Sequence, residues 1–122
     1  MKPSIKKIWL KALRSGEYKQ GRKALCRTDR GESYYCCLGV LANECADGFW
    51  IHRESDGPVC KGDPNSWSLQ VNNANGLSPW YLPPEFLKQV GLSSYEQSKL
   101  SDMNDHCQFS FETIAKWIEE NL

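Results

Sequence analysis

Residues 34–41 read Tyr-Tyr-Cys-Cys-Leu-Gly-Val-Leu and contain no charge. Leu38, Leu41 and Cys45 recur at three-to-four spacing, which predicts a buried helix over residues 36–46, with Gly48 ending it. Gly39 costs that helix up to ~1 kcal/mol against alanine. A glycine inside an otherwise good helix implies that another segment comes close to its backbone. The chain must therefore supply apolar material for this helix to pack against.

The rest of the sequence supplies it. Hydrophobic residues make up 40% of 122 residues, with five Trp, five Tyr and four Phe. This is sufficient for one compact domain over residues 1–122 and leaves little room for two. Ile5, Ile8, Trp9, Ala12 and Leu13 form one apolar stripe, predicting a helix over residues 3–14, with Pro3 in its first turn and Gly16 after its end. Residues 18–27 suit an extended segment. Asp29-Arg30-Gly31-Glu32 reads as a turn, and residues 33–35 as the returning strand of a small hairpin. Residues 49–84 form a loop-rich middle around candidate strands at 50–53 and 67–71, with Asn72 to Gly76 as an exposed turn.

The C-terminal third returns to helices at residues 84–91, 94–104 and 111–121. Ser93 and Glu96 form a capping box, and Ser110 caps a last helix whose stripe is Phe111, Ile114, Ala115, Ile118 and Leu122. The expected fold is α+β: about four or five helices around a small irregular sheet or hairpin.

Charge is neutral overall and uneven along the chain. Residues 1–30 carry +8, whereas residues 31–84 and 85–122 carry −4 each. Lys7, Lys11 and Arg14 line one face of the first predicted helix, followed by Lys19, Arg22, Lys23 and Arg27. Such a face either meets an acidic partner or is neutralised inside the fold by the acidic C-terminal helix. No apolar run approaches the ~20 residues of a membrane span. Lys6, Lys7 and Lys11 interrupt the first apolar pattern, unlike the core of a signal peptide. A cytoplasmic protein is expected, and its six cysteines are then expected as reduced thiols.

The chain resembles a group of short phage, prophage and actinobacterial proteins. Their pattern is an N-terminal helix, a Gln-Gly segment, an aromatic-Cys-x-Leu-Gly-x-Leu motif and an Asn-Asp before a final helix. Here these are residues 9–13, Gln20-Gly21, Tyr35 to Leu41 with Cys36, Cys37 and Gly39, Asn104-Asp105, and residues 111–122. The match covers both ends and little of residues 49–90. The resemblance implies a phage or bacterial accessory protein and supplies no reaction.

Several constellations compete for the function. A thiol enzyme would use Cys36 or Cys37 at a helix N-terminus, with His52 or His106 as base and Asn104 or Asp105 to orient it. The apolar neighbours Leu38, Val40 and Leu41 favour buried core thiols instead. Zinc is disfavoured because no Cys-x2-Cys pair occurs, so no metal and no cofactor are expected. The last helix resembles part of a helix-turn-helix, but Glu112, Glu119 and Glu120 would repel phosphate. Nucleic-acid binding then rests on the basic N-terminal face alone and is disfavoured.

The same basic residues suit a small anionic, nucleotide-like ligand, with Trp50, Trp67 or Trp80 stacking a base. No Gly-x-x-x-x-Gly-Lys or Gly-x-Gly-x-x-Gly run points to NTP hydrolysis or dinucleotide chemistry. Trp80 and Tyr81, ahead of Leu82-Pro83-Pro84, suit instead a ridge for a host protein. A homo-oligomer that completes a site between subunits is a further option. Asn104-Asp105 is expected to be structural, with Asn104 left-handed at a helix end and Asp105 holding the turn before the last helix. Gln20-Gly21 is expected as a turn. The expectation is a non-enzymatic binding protein acting in host takeover or defence evasion.

Overall fold

The computed structural model of the chain describes residues 1–46, 48–52, 66–71 and 80–122, the side chains of 48–52 and 66–71 excepted. In chain order the elements are α1 (Pro3–Arg14), β1 (Lys19–Gln20), β2 (Cys26–Asp29), β3 (Glu32–Tyr35) and α2 (Cys37–Cys45). There follow β4 (Gly48–His52), β5 (Ser66–Val71), α3 (Pro84–Val90), α4 (Ser94–Asp105) and α5 (Phe111–Asn121). The fold is α+β. The strands form one mixed sheet in the order β1-β3-β2-β5-β4, antiparallel except for the parallel β1–β3 pair.

The β2–β3 hairpin turns on Arg30 (φ 52°) and Gly31 (φ 81°), two successive left-handed residues. That geometry matches the twist of the flanking strands and fixes the register. Arg27 stands opposite Tyr34, and Cys26 opposite Tyr35.

The helices enclose the core. Trp9, Leu38, Leu41, Phe86, Leu100, Ile114 and Ile118 are fully buried. α2 is the central helix, packed by α1 on one side and α4 on another, while α5 lies against α1. Trp9 Nε1 donates to the Cys37 carbonyl at 2.9 Å and so ties α1 to the start of α2. Gly39 explains the tight seating: a Cβ there would overlap the Leu25 carbonyl. The Cys36 N–H also donates to that carbonyl, at 3.3 Å.

Several expectations need correction. Ile8 is 45% exposed, so the buried stripe of α1 is Trp9, Ala12 and Leu13. Cys36 is the extended residue before α2, and the helix stops at Cys45 with Ala46 extended; Gly48 opens β4 instead of ending α2. Residues 18–27 divide into two strands separated by a bend, because Lys23 adopts φ 69°. Gln20 lies in β1, not in a turn. Asn104 stays within α4, and the left-handed residue is Gln108 (φ 55°). The capping box of Ser93 and Glu96 is present, and Ser110 accepts from the Thr113 N–H. The predicted turn at Asn72 to Gly76 lies outside the described residues. Among the described residues no helix is long and apolar enough to cross a membrane.

Candidate functional site

The motif residues meet at one buried polar node. Asn104 is fully buried. Its Oδ1 accepts from Gln20 Nε2 at 2.9 Å and from the Cys37 N–H at 3.3 Å. Its Nδ2 donates to the Gly21 carbonyl at 2.9 Å and to Asp105 Oδ1 at 2.8 Å. All four hydrogen-bonding positions of the amide are thus filled. α2 starts without a side-chain cap of its own. Asn104 supplies one from α4, satisfying an N–H that helix geometry leaves without a partner.

Gln20 uses its second N–H on the Phe109 carbonyl at 2.8 Å. Asp105 Oδ1 also accepts from the Lys23 N–H at 2.9 Å, so it holds the bend after β1 and not the turn before α5. The node therefore clamps residues 20–23 from two directions. Lys23 sits in a conformation that costs a non-glycine residue roughly 1–2 kcal/mol. The bond from Asp105 offsets part of that cost.

The two motif thiols lie inside this packing. Cys36 and Cys37 are buried. Burial pushes the Cys36 thiol up to about 12, against the opposing pull of the Gly39 and Leu38 N–H groups. Cys37 is raised well above its ordinary value, by burial first and then by its neighbour Cys36. Cys37 Sγ lies 3.6 Å from the Leu100 carbonyl, an acceptor that favours the thiol over the thiolate. His106 is exposed and pairs with Asp102 at 2.9 Å, with neither thiol. The side chain of His52 and all of Cys60 lie outside the described residues. Among the described residues no three His, Cys, Asp or Glu side chains are grouped to hold a metal.

The basic residues separate into two places. Arg14 is spent on α5: it pairs with Glu119 at 2.9 Å and Glu112 at 3.5 Å. Glu119 is lowered and Arg14 raised in consequence. Lys11 is exposed on α1. Arg22 and Arg27, by contrast, line a groove of about 340 Å³ together with Gln20, Gly21, Asp29 and Tyr34. Lys23 is exposed at the bend beside it. Lys19 pairs with Glu32 at the neighbouring edge, and its ammonium stands 6.0 Å from the centroid of the Tyr34 ring. The Tyr34 hydroxyl donates to Glu32 at 3.2 Å.

Trp80 and Tyr81 are 42% and 46% exposed just before α3 and belong to neither place. The side chains of Trp50 and Trp67 lie outside the described residues. Tyr34 and Asp29 were not among the expected site residues. The signal was available, since a two-residue turn at Arg30-Gly31 sets Arg27 opposite Tyr34.

These features define a small α+β domain with a polar clamp under a basic groove. Across its whole length, residues 1–122, the chain matches the family described as Domain of unknown function (DUF8296), and it belongs to that family. No curated relative and no solved structure matches it.

Proposed function

We propose that the chain is a non-enzymatic binding protein that holds an anionic small molecule in the groove formed by Arg22, Arg27 and Tyr34. The observation that carries this reading is the use of the polar node. Gln20, Gly21, Asn104 and Asp105 together hold one bend, and the side chains that bend presents are Arg22 and Lys23. Among the described residues Arg22 makes no ion pair or side-chain hydrogen bond of its own. A guanidinium with no partner of its own, carried on a held backbone, suits an anion.

The buried, protonated thiols support a binding role over a thiol-dependent reaction, because the thiolate is the nucleophile. The basic zone is short and flanked by Asp29 and Glu32, which supports a small ligand over a nucleic-acid strand. In the phage-type setting that the sequence resemblance implies, such a protein would act as an accessory factor in the cytoplasm of a host cell. It would withdraw an anionic metabolite or signal there.

Thermal unfolding in rising inorganic phosphate, against sodium chloride of equal ionic strength, tests the reading. Saturable stabilisation is expected for the native chain and not for Arg22→Glu, since a ligand that binds only the folded state raises its stability. Identical curves in phosphate and chloride would overturn it.

A further inference from the structure

The chemistry of the groove is more selective than its charge. Asp29 lies in the same lining as Arg22 and Arg27, and among the described residues its carboxylate has no hydrogen-bond or ion-pair partner. A site for a bare anion gains nothing from a carboxylate, which repels the ligand. A carboxylate is useful where the ligand also carries N–H or O–H donors.

The third component is Tyr34. Its hydroxyl donates to Glu32 and the Lys19 ammonium lies over one face of its ring; both contacts favour one ring orientation and leave the other face for a ligand. An aromatic ring is a platform for another planar ring, because every nucleobase presents a π-face to it.

Resting on the anion-site reading above, we propose that the groove takes a single nucleotide. Its phosphate meets Arg22, its base lies against Tyr34, and Asp29 accepts from a ribose hydroxyl or an exocyclic amine. Size agrees, because a groove of about 340 Å³ falls at the lower end of small-ligand sites. Charge agrees as well. The lining holds two arginines and one aspartate. Arg27 already has an interaction of its own, so Arg22 is the guanidinium available for the phosphate. One uncommitted cation beside a carboxylate suits one phosphate and not a chain of them.

Titration calorimetry on the full chain separates the possibilities. The probes are inorganic phosphate, ribose 5-phosphate and the nucleoside 5′-monophosphates of adenine, guanine, cytosine and uracil. At least one nucleoside monophosphate is expected to bind ten-fold or more tightly than ribose 5-phosphate. Arg22→Ala should weaken every phosphate-bearing probe ten-fold or more. Tyr34→Leu should weaken the nucleotide and leave inorganic phosphate unchanged, whereas Asp29→Asn should weaken the nucleotide and tighten inorganic phosphate, which then meets no carboxylate. Tyr34→Phe, which keeps the ring and loses its bond to Glu32, should fall between the native chain and Tyr34→Leu. Urea midpoints of each variant report whether it is folded.

Equal binding of all probes, with Asp29→Asn tightening them together, would overturn the nucleotide assignment and leave the anion site standing. Absence of binding by every probe to the folded native chain would overturn both.

Discussion

The Asn104 node and the Arg22–Tyr34 groove share Gln20 and Gly21, yet they treat polar groups in opposite ways. In the node every position of the Asn104 amide is matched, at distances of 2.8 to 3.3 Å. In the groove the side chains of Arg22 and Asp29 stand without hydrogen-bond or ion-pair partners among the described residues. A buried polar group must be satisfied or the fold is destabilised, so the node is a condition of folding. A polar group that water can reach leaves the fold nearly indifferent, so the groove is open to selection for a ligand. The difference teaches where each property resides. The motif reports on the fold, and the binding role we propose would be displayed on the bend that the motif holds.

The largest effect that could break this comparison falls at Gly39. Gly39→Ala adds a methyl group that overlaps the Leu25 carbonyl, a backbone atom that cannot swing aside. Overpacking of this kind destabilises by roughly 1–3 kcal/mol when side chains can yield, and by more against backbone. Loss of the cooperative urea transition is the expected result. A midpoint like that of the native chain would show that α2 is not seated on residue 25.

Next in size is Asn104→Ala. It strands the Cys37 N–H and the Gly21 carbonyl in a buried site and removes one bond from the half-buried Gln20 amide, which keeps the Phe109 carbonyl. Each unsatisfied group costs roughly 1–3 kcal/mol, partly relieved by water or relaxation, so a loss of about 3 kcal/mol is expected by urea unfolding. A loss below about 1 kcal/mol would mean that the node is not a folding requirement and would dissolve the contrast with the groove.

The buried thiols give a graded effect with a definite sign. Cys36 and Cys37 have folded-state values raised above the ordinary 9.0. Below the unfolded value both states hold the proton and the thiols leave stability unchanged. As the pH climbs past about 9 the unfolded chain releases protons that the folded chain retains. Stability then falls, by up to ~1.4 kcal/mol per pH unit per thiol, until the folded thiols also ionise. Urea unfolding between pH 7 and 10 should show this decline, reduced in Cys36→Ala relative to that variant's own stability at pH 7. Iodoacetamide at neutral pH should modify exposed Cys107 ahead of Cys36 and Cys37. Selective labelling of Cys36 or Cys37 in the folded protein would instead favour a reactive thiol.

Much of this was legible in the sequence, for reasons that differ from residue to residue. The helices were readable because stripes such as Phe111, Ile114, Ala115 and Ile118 carry the helical period, and because Ser93 with Glu96 marks a start. Gly39 was readable as a close approach, since few other pressures place glycine in an apolar helix. The role of Asn104 was not readable. Its partners Cys37, Gly21 and Gln20 are 67, 83 and 84 residues away, and no local pattern encodes a cap supplied across that span. The basic face misled for a related reason. Lys11, Arg14, Arg22 and Arg27 form one cluster along the chain, but helix packing commits Arg14 to Glu119 while the hairpin register carries Arg27 to Tyr34.

The smallest expected effect on stability belongs to Arg22→Ala, and it is the sharpest test of the comparison. The side chain is half-buried on the groove wall, with no ion pair or hydrogen bond to lose among the described residues. Surface substitutions away from such features fall within about 0.5 kcal/mol. The bend should stay in place, because the Lys23 N–H is held through Asp105 and the Gly21 carbonyl through Asn104, and neither bond involves the Arg22 side chain. The urea midpoint of Arg22→Ala should therefore match the native chain while the stabilisation by phosphate disappears. If stability and phosphate response fell together, the guanidinium would belong to the fold. The division between a satisfied node and an uncommitted groove would then have to be redrawn around residue 22.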